Sequence, residues 1–187
     1  MGIWEIFLPD SEYKETFVEG SKVKVHIVGA NGAHDRMPAY IKRAIQDPTT
    51  HDFSGQVWGS GSDFEWTDSA FEVGSIQTPI IYETHTGMAQ EKEGVGTYKE
   101  FEENILPRIK DLGYNTIQLM AVQEHPYYGS FGYHVSNFFA PTSRFGTPEA
   151  LKSMINTAHN MGIAVIMDVV HSHAVKNFAE GLNQFDG

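Results

Sequence analysis

The side chains best suited to chemistry are concentrated in the hexapeptide DVVHSH at residues 168–173, which holds one carboxylate and two imidazoles. The hexapeptide directly follows an apolar run, IAVIM, that has the character of a buried strand. A charged Asp168 at the end of such a strand is costly unless it is paired or functional. On these residues alone two interpretations stay open: a functional carboxylate, or an aspartate hydrogen-bonded to loop amides beside two surface histidines, His171 and His173.

A second candidate cluster is the segment YYGSFGYH at residues 127–134. Its glycines let the backbone approach a ligand closely, and its aromatic rings offer flat faces on which a sugar ring can stack. We expect most of these rings to be buried, because a loop of this kind is anchored by its own aromatic side chains. Tyr133, which lies between Gly132 and His134, is the best candidate for contact with a ligand.

Other polar patterns give weaker signals. No third metal ligand stands at a recognisable offset from any pair of histidines, so we predict neither a metal nor a cofactor. The segment GVGT at 94–97 lacks the lysine of a phosphate-binding loop. Glu124 and His125 could form a pair at the end of a strand, although a structural role is favoured. The histidines considered as metal ligands are His85, His125, His134, His159, His171 and His173.

From residue 76 onward the sequence alternates between strand-like and helix-like segments, and these elements would position the two clusters. The predicted strands are 79–83, 116–120 and 163–170, and the predicted helices are 98–112, interrupted at Pro107, and 147–161. The third strand is apolar on consecutive residues, as a parallel strand buried on both faces must be. This order predicts a parallel sheet with right-handed crossovers.

The ends of these elements are also marked in the sequence. Thr147 followed by Pro148 is typical of a helix start, and Gly113 and Gly162 are typical of helix stops. The stretch 121–146 follows the second strand and is predicted to be a loop of about 25 residues, far longer than the usual connection. A long loop at the carboxyl end of a parallel strand is the place where barrel enzymes build their sites.

The first 68 residues have a different pattern, typical of antiparallel strands. Residues 22–27 alternate polar and apolar side chains, and turn-forming residues stand at 19–21 and 29–32. Residues 36–48 fit either a short helix or a strand, and both stay open. The glycine- and tryptophan-containing stretch 55–68 is predicted to be a loop or linker.

The composition limits the classes of protein and partner. The chain has 187 residues, of which 41% are apolar, and these supply enough material for a packed core. Its formal net charge of −11 argues against nucleic acid and anionic membranes as partners. It has no cysteine, no apolar run long enough to span a bilayer and no signal-peptide pattern, so we expect a cytoplasmic protein. Aromatic residues, at 12%, suit stacking on uncharged, ring-shaped ligands.

Taken together, these motifs resemble the α-amylase clan (glycoside hydrolase family 13). Their residue sequences are similar to those of the eukaryotic-type 1,4-α-glucan (glycogen/starch) branching enzymes. DVVHSH at 168–173 resembles the clan's first signature region, at the end of the third barrel strand. The other similar stretches, which together cover nearly the whole chain, are IYETHTGM (81–88), YNTIQLMA (114–121), YYGSFGYHVSNFF (127–139), RMPA (36–39), QDP (46–48), GLN (181–183) and FDG (185–187).

The resemblance implies an α/β plus all-β architecture. Part of a β-sandwich carbohydrate-binding module would be followed by the first three βα units of a (β/α)8 TIM barrel. Residues 1–68 would be the sandwich segment and linker, and residues 69–187 the amino-terminal part of the catalytic barrel. By the same resemblance, Tyr133 would stack on the sugar at the bond-cleaving subsite, His173 would hydrogen-bond that sugar's hydroxyls, and Asp168 would orient the arginine beside the nucleophile.

The implied activity is a retaining transfer, in which an α-1,4-glucan chain is cleaved and moved to a 6-hydroxyl to form an α-1,6 branch. Ser172 stands where calcium-dependent amylases have an asparagine ligand, so no calcium is expected. The family's nucleophile and acid/base carboxylates would lie beyond Gly187. We therefore expect residues 1–187 alone to be inactive, with no catalytic residue in this chain.

Two other classes stay open. One is another glucan hydrolase or debranching enzyme of the same clan, which the sequences of the motifs YYGSFGYH and DVVHSH disfavour. The other is a non-catalytic glucan-binding fragment. In each case the partner is an α-glucan such as glycogen or starch, and neither nucleic acid nor a membrane is expected. Three parallel strands leave exposed edges, so we also expect self-association or pairing with further polypeptide.

Overall fold

The computed structural model describes residues 5–30, 32–59 and 63–185 of the chain. Its first elements are helix α1 (Asp10–Tyr13) and strands β1 (Lys22–Val23), β2 (Val25–Gly29), β3 (Gly32–Arg36), β4 (Ala44–Gln46) and β5 (Phe53–Gln56). β2 and β3 form an antiparallel hairpin, and β5 lies between β1 and β4 in an antiparallel sheet. The antiparallel strand predicted over 22–27 is confirmed in type but not in extent, because it is broken at Lys24 and its two parts, β1 and β2, belong to different sheets. Asn31, in the predicted turn, lies outside the described residues.

The segment 36–48, which fitted either a helix or a strand, contains the strand β4. The predicted loop 55–68 is wrong at its first two residues, because β5 continues to Gln56. Gly55 is required there, since a Cβ at this position would lie 2.9 Å from Pro38 Cδ and 3.0 Å from Ile41 Cγ1. This glycine therefore marks a close approach between a strand and the chain packed on it.

The second half of the chain builds a parallel sheet with helices between its strands. The strands are β6 (Ile81–Thr84), β7 (Thr116–Leu119) and β10 (Ala164–Met167), in the order β10-β7-β6. The helices are α2 (Tyr98–Asn104) and α3 (Leu106–Asp111) between β6 and β7, and α4 (Pro148–Asn160) between β7 and β10. The predicted alternation of strands and helices is confirmed, at slightly shifted boundaries.

The helix ends follow the signals in the sequence. α3 begins directly before Pro107, so the predicted interruption of the first helix is confirmed. Thr147 caps α4 by accepting a hydrogen bond from the Ala150 N–H at 3.1 Å. Gly113 and Gly162 have φ of 87° and 74°, the left-handed backbone that commonly ends a helix.

The two faces of the parallel sheet are covered to different degrees. One face packs against the helices, where Ile117 and Leu119 are fully buried in the same cluster as Phe101. On the opposite face, Ile81 and Ile166 are 45% and 42% exposed. The prediction that the third strand is buried on both faces is therefore wrong. Among the described strands β10 pairs with β7 alone, so its other edge is unpaired.

The predicted loop 121–146 contains an antiparallel strand pair. The pair consists of β8 (Gln123–Glu124) and β9 (Asn137–Pro141), and a 3-10 turn covers Tyr128–Ser130 between them. The sequence did not reveal β8 because it has only two residues, too few to show an alternating pattern. The free loop is therefore shorter than predicted.

The amino-terminal strands are packed onto the α/β part. Met37, Ala44 and Phe53 form a buried cluster with Ala140 of β9. Arg36 adds a polar connection, because it is 2% exposed and, among the described residues, its guanidinium donates to backbone oxygens near the carboxyl end of the chain. Those oxygens belong to Gly181, Asn183 and Gln184, at 3.0, 2.8 and 3.1 Å. Within the described ranges, no helix is long and apolar enough to cross a membrane.

Candidate functional site

Asp168 directly follows β10, and its carboxylate is held by a donor on each oxygen. Oδ2 accepts a hydrogen bond from the Tyr133 hydroxyl at 2.9 Å, and Oδ1 accepts one from Nε2 of Gln118 at 3.2 Å. The Asp168 N–H donates to the Leu119 carbonyl at 3.0 Å and so extends the pairing of β10 with β7 by one residue. The structure thus brings together two of the three predicted site residues, Tyr133 and Asp168.

Strand register explains why these side chains meet. Gln118 of β7 lies between Glu83 of β6 and Ile166 of β10. Registered neighbours point to the same face of a sheet, and Asp168, two residues after Ile166, returns to that face. It is the face that the helices leave uncovered. Gln118 belongs to this candidate site, and the sequence analysis missed it. The signal was the pattern TIQLM, in which the residues on either side of Gln118 are apolar and point to the opposite face of the strand.

The loop before Tyr133 adopts a backbone that few residues tolerate. Phe131 has φ of 54° and Gly132 has φ of 86°, both in the left-handed region. A Cβ at Gly132 would lie 2.0 Å from the Ala121 backbone oxygen, so only glycine fits. The Tyr133 N–H closes the turn by donating to the Ser130 carbonyl at 3.0 Å. This close packing onto the chain after β7 fixes where the Tyr133 ring meets Asp168.

The Tyr133 hydroxyl stays protonated over the ordinary pH range. Burial is the largest cause, and together with the hydrogen bond to Asp168 and the charges of Asp168 and Glu83 it raises the pKa of Tyr133 to about 12. The phenol is therefore a constant hydrogen-bond donor to Asp168. A carboxylate offers about four lone-pair positions, so two internal donors leave Asp168 able to accept further hydrogen bonds.

His173, the third predicted site residue, is exposed, and its Nδ1 lies 2.7 Å from the Ser172 hydroxyl. Its backbone oxygen accepts a hydrogen bond from the Val135 N–H at 3.3 Å, which holds the DVVHSH segment beside the Tyr133 loop. None of the hydrogen bonds among the described residues joins the His173 ring to Tyr133 or Asp168. The ring is therefore free to turn toward a ligand.

The other histidines do not converge on a metal site. Over residues 5–30, 32–59 and 63–185, no group of three or more metal-ligating side chains is placed to hold an ion. His171 stacks on Phe138 with ring centroids 5.3 Å apart, and His159 Nδ1 lies 2.5 Å from Asp68 Oδ2. The segment GVGT at 94–97, considered above as a phosphate-binding loop, ends in Thr97, which caps the amino terminus of α2.

His85 and His125 are buried beneath the aromatic loop. Both pack against the ring of Phe145, with centroids 5.4 and 6.1 Å away. Burial lowers the pKa of His85, and burial together with the nearby charge of Arg144 lowers the pKa of His125 to about 4. Both rings are therefore neutral near pH 7 and act as packing groups.

Glu124 is the centre of a second carboxylate network, and it is 1% exposed. Its oxygens accept hydrogen bonds from the Thr142 hydroxyl at 3.0 Å, the Ser143 N–H at 2.7 Å and the His125 N–H at 3.1 Å. Burial raises the pKa of Glu124, although these donors act in the opposite direction. Because all of its partners are internal, Glu124 has the structural role that the sequence favoured.

Of the two carboxylate networks, the one at Asp168 is the more open to a ligand. It combines a half-buried carboxylate that has unused acceptor capacity with an aromatic ring, and the exposed imidazole of His173 lies five residues further along the chain. A carboxylate and an aromatic ring together suit a molecule with many hydroxyls and an apolar ring face. Uncharged sugars have this chemistry.

The sequence was compared with models of known families. A model of the alpha-amylase catalytic domain matches residues 86–184, more than half of the chain. The chain belongs to the alpha-amylase family. The matched range contains Tyr133, Asp168 and His173, so all three predicted site residues lie within the family's catalytic domain.

Curated members of this alpha-amylase family are similar over the whole chain. It is 47% identical over 187 residues to the 1,4-alpha-glucan-branching enzyme 2-2, chloroplastic/amyloplastic, of Arabidopsis thaliana, covering 100% of this chain and 23% of the relative. It is 49% identical over 191 residues to the 1,4-alpha-glucan-branching enzyme of Dictyostelium discoideum, covering 100% and 27%. The chain therefore spans about a quarter of the length of these relatives. The resemblance inferred from the motifs is confirmed.

A solved structure of the alpha-amylase type has a similar fold. It is a crystal structure described as an alpha amylase from Salmonella typhimurium, and it aligns with a TM-score of 0.64 and 25% sequence identity. The alignment covers 78% of this chain and 24% of that chain. The amylase-like fold expected from the motifs is thereby confirmed.

Proposed function

We propose that the chain is part of a 1,4-α-glucan branching enzyme, within which it holds the glucan next to the bond that is cleaved. The observation that carries the proposal is its 45–49% identity, over 100% of its length, to curated branching enzymes of a plant, an amoeba and a fungus. The site geometry supports it, because the open carboxylate and ring lie at the carboxyl end of a parallel sheet. This is the end at which barrel enzymes bind substrate.

Each site residue has a distinct role in the proposal. The Tyr133 ring stacks on a glucose ring, and its constantly protonated hydroxyl holds the Asp168 carboxylate in place. The remaining lone pairs of Asp168 accept donors from an arginine or from sugar hydroxyls. His173, exposed and joined only to Ser172, hydrogen-bonds hydroxyls of the same sugar. None of the three is assigned as nucleophile or general acid.

The proposed reaction follows the retaining pattern. One carboxylate attacks the anomeric carbon while a second carboxylic acid protonates the leaving glucan, and a glycosyl–enzyme bond forms. The 6-hydroxyl of another glucan then displaces the enzyme carboxylate, and its proton returns to the acid/base residue. One α-1,4 bond is exchanged for one α-1,6 bond, so the number of reducing ends stays constant.

The proposal includes the finer domain assignment. Residues 1–68 would belong to a β-sandwich carbohydrate-binding module and its linker, and residues 69–187 to the first three βα units of a (β/α)8 barrel. The antiparallel pairing of β1, β4 and β5 and the parallel order β10-β7-β6 support this division. Limited proteolysis followed by mass spectrometry tests it, since the first cut is expected near residue 68, with the two pieces still held together by the contacts between them.

The complete gene product, incubated with amylose, separates the three candidate activities. A branching enzyme produces α-1,6 linkages, measured by proton NMR, with no increase in reducing ends. A hydrolase of the same clan raises the number of reducing ends without forming α-1,6 linkages. A non-catalytic glucan-binding protein changes neither quantity. We expect the first result, and either of the others would overturn the proposal.

Location and assembly belong to the proposal as well. We place the protein in the cytoplasm, although the Arabidopsis relative is named for the plastid. Fractionation of source cells tests this, and recovery of the protein in an organelle would contradict it. The exposed Ile81 and Ile166 beside the outer strands favour self-association of the 187-residue chain, which light scattering would detect as a mass above 20.9 kDa.

A further inference from the structure

Arg36 carries a charge that is buried without a carboxylate partner. It is the last residue of β3, it is 2% exposed, and among the described residues it forms no ion pair. A buried charge is costly unless hydrogen bonds replace the lost water. The guanidinium finds these bonds at three backbone oxygens of one segment, residues 175–185, which we call the carboxyl-terminal segment. Arg36 therefore favours the one conformation of this segment that presents all three oxygens.

The carboxyl-terminal segment contains neither a helix nor a strand, so side chains of β3 supply contacts that regular structure would otherwise provide. The Arg36 guanidinium carbon lies over the rings of Phe178 and Phe185, at 5.0 and 5.6 Å from their centroids. His34, two residues earlier and on the same face of β3, stacks on Phe178 with ring centroids 4.9 Å apart. The strand thus holds both the backbone and the rings of the segment.

Close backbone contacts join the carboxyl-terminal segment to the candidate site. A Cβ at Gly181 would lie 2.7 Å from the Val175 backbone oxygen, so these two residues are in direct contact. The Val175 N–H donates to the Val135 oxygen at 2.9 Å, and the Val135 N–H donates to the His173 oxygen at 3.3 Å. Val135 itself follows Tyr133 by two residues. A displacement of Gly181 would therefore reach the backbone that carries both Tyr133 and His173.

We propose that Arg36 is a positioning residue, which holds the backbone of His173 and of the Tyr133 loop in its binding arrangement through the carboxyl-terminal segment. The planar fork of a guanidinium suits this task, because it fixes several acceptors at set angles. Since Arg36 is buried, it acts without touching the ligand. Glucan as that ligand rests on the proposed function, whereas the effect of Arg36 on the backbone does not.

Native-state hydrogen exchange of the 187-residue chain, followed by NMR, tests the positioning. Arg36→Met removes the donors and keeps an unbranched side chain of similar length. We expect the N–H groups of Val135 and Val175 to exchange about tenfold faster in this variant, because the segment beside them loses its shared donor. The amides of β7 report on the stability of the whole fold and should change much less. Arg36→Lys keeps the charge and should restore part of the protection.

Arg43→Met is the matched control. Arg43 also belongs to the amino-terminal part of the chain, donates to the Gly146 backbone oxygen at 3.0 Å and lies over the Trp58 ring at 4.4 Å. It has the same kinds of contact as Arg36 but none with the carboxyl-terminal segment among those described, so exchange at Val175 should stay at the parent rate. If Arg36→Met does not fold, Phe178→Leu removes one ring from the guanidinium, leaves every backbone oxygen paired, and should give a smaller acceleration of the same sign.

Titration with maltoheptaose tests whether the positioning serves binding. We expect Arg36→Met to weaken binding about fivefold, as the loss of one well-placed hydrogen bond would. In a chain that already carries His173→Ala, the same substitution should weaken binding less, because one of the groups that Arg36 positions is gone. A residue that only stabilised the fold would give the same loss in both chains.

Each other result overturns a definite part of the account. An unchanged exchange rate at Val175 in Arg36→Met, or an equal acceleration at β7, overturns the positioning, and so do fully additive losses of affinity with His173→Ala. If the complete gene product makes no α-1,6 linkages while exchange at Val175 still depends on Arg36, the positioning stands and the proposed function fails. Maltoheptaose binding that depends on Asp168 but not on Arg36 overturns the positioning and leaves the proposed function intact.

Discussion

Two carboxylates, Glu124 and Asp168, lie beyond neighbouring strands of the same sheet, yet they are built in opposite ways. Glu124 is 1% exposed and accepts hydrogen bonds from two backbone N–H groups and a hydroxyl. Asp168 is partly exposed, and its donors are the side chains of Tyr133 and Gln118. One carboxylate is enclosed by fixed donors, and the other is held by donors that can rotate.

We propose that this difference separates a structural carboxylate from a binding one. A backbone N–H can donate a hydrogen bond but cannot accept one. The folded chain therefore needs an acceptor at the position of the Glu124 carboxylate. The Gln118 amide and the Tyr133 hydroxyl can each donate or accept, so Asp168 can exchange partners when a ligand arrives. Pairing with an internal partner does not by itself identify a functional residue; exposure and the type of donor do.

The largest effect is expected from Glu124→Gln. Either orientation of the new amide places an NH2 group against the N–H of His125 or of Ser143, which leaves buried donors unpaired. We expect a loss of about 4 kcal/mol in the free energy of unfolding at pH 7, measured by urea denaturation. Asp168→Asn is the matched comparison, with an expected loss below about 1 kcal/mol because Gln118 can turn over. Equal losses would abolish the distinction between the two networks.

A somewhat smaller effect is expected from Gly132→Ala, in the loop that connects the two networks. The new Cβ would meet the Ala121 carbonyl oxygen, which belongs to the backbone and cannot move away cheaply. The left-handed φ adds strain, and together these should cost about 3 kcal/mol. Gly129→Ala is the control, since its Cβ meets only the exposed ring of Tyr127. If both variants melt at the same temperature, the close approach at Gly132 is not a constraint.

The pH dependence of stability should reflect His125. Its pKa is about 4 in the folded chain, against an ordinary value of 6.5, so between these values the unfolded chain binds more protons. Stability should therefore fall as the pH drops from 6.5 to 4, by at most about 3 kcal/mol from this residue. His125→Phe should flatten the slope of unfolding free energy against pH in this window. His134→Phe, at an exposed histidine, is the control, and an equal flattening in that variant would contradict the assignment to His125.

The smallest effect is a change in the ionisation of Tyr133. Asp168→Asn removes the charge and the acceptor that help to raise the pKa of Tyr133 to about 12, while burial, the largest cause, remains. The pKa should fall but stay above 10.0, the ordinary value for tyrosine. Carbon-13 NMR of labelled tyrosine rings between about pH 9 and 13 measures this. An unchanged titration would show that the Tyr133–Asp168 hydrogen bond is not formed in solution.

Local signals predicted the elements of this fold well. Pro107 separating two helices and Thr147 capping a third depend on a few neighbouring residues, and both are confirmed. Non-local features were harder to predict. The two-residue strand β8 exists only through its pairing with β9, and the unpaired edge of β10 depends on which strands lie beside it.

The same division applies to the candidate site. Tyr133 and Asp168 could be named from their motifs, but their contact depends on the register of β7 and β10, which places Gln118 beside them. The bonds from Thr142 and Ser143 that enclose Glu124 come from residues 18 and 19 positions away, and no local pattern indicates them. The assignment of His173 to a sugar hydroxyl stays a prediction.

Titration of the 187-residue chain with maltoheptaose, followed by NMR, tests the central claim most directly. The account predicts that Asp168→Asn weakens binding about tenfold, the value of one charge-assisted hydrogen bond, while the free energy of unfolding stays within about 1 kcal/mol of the parent. Unchanged affinity in Asp168→Asn, or an unfolding loss as large as that of Glu124→Gln, would contradict it, because Asp168 would then be a structural carboxylate like Glu124.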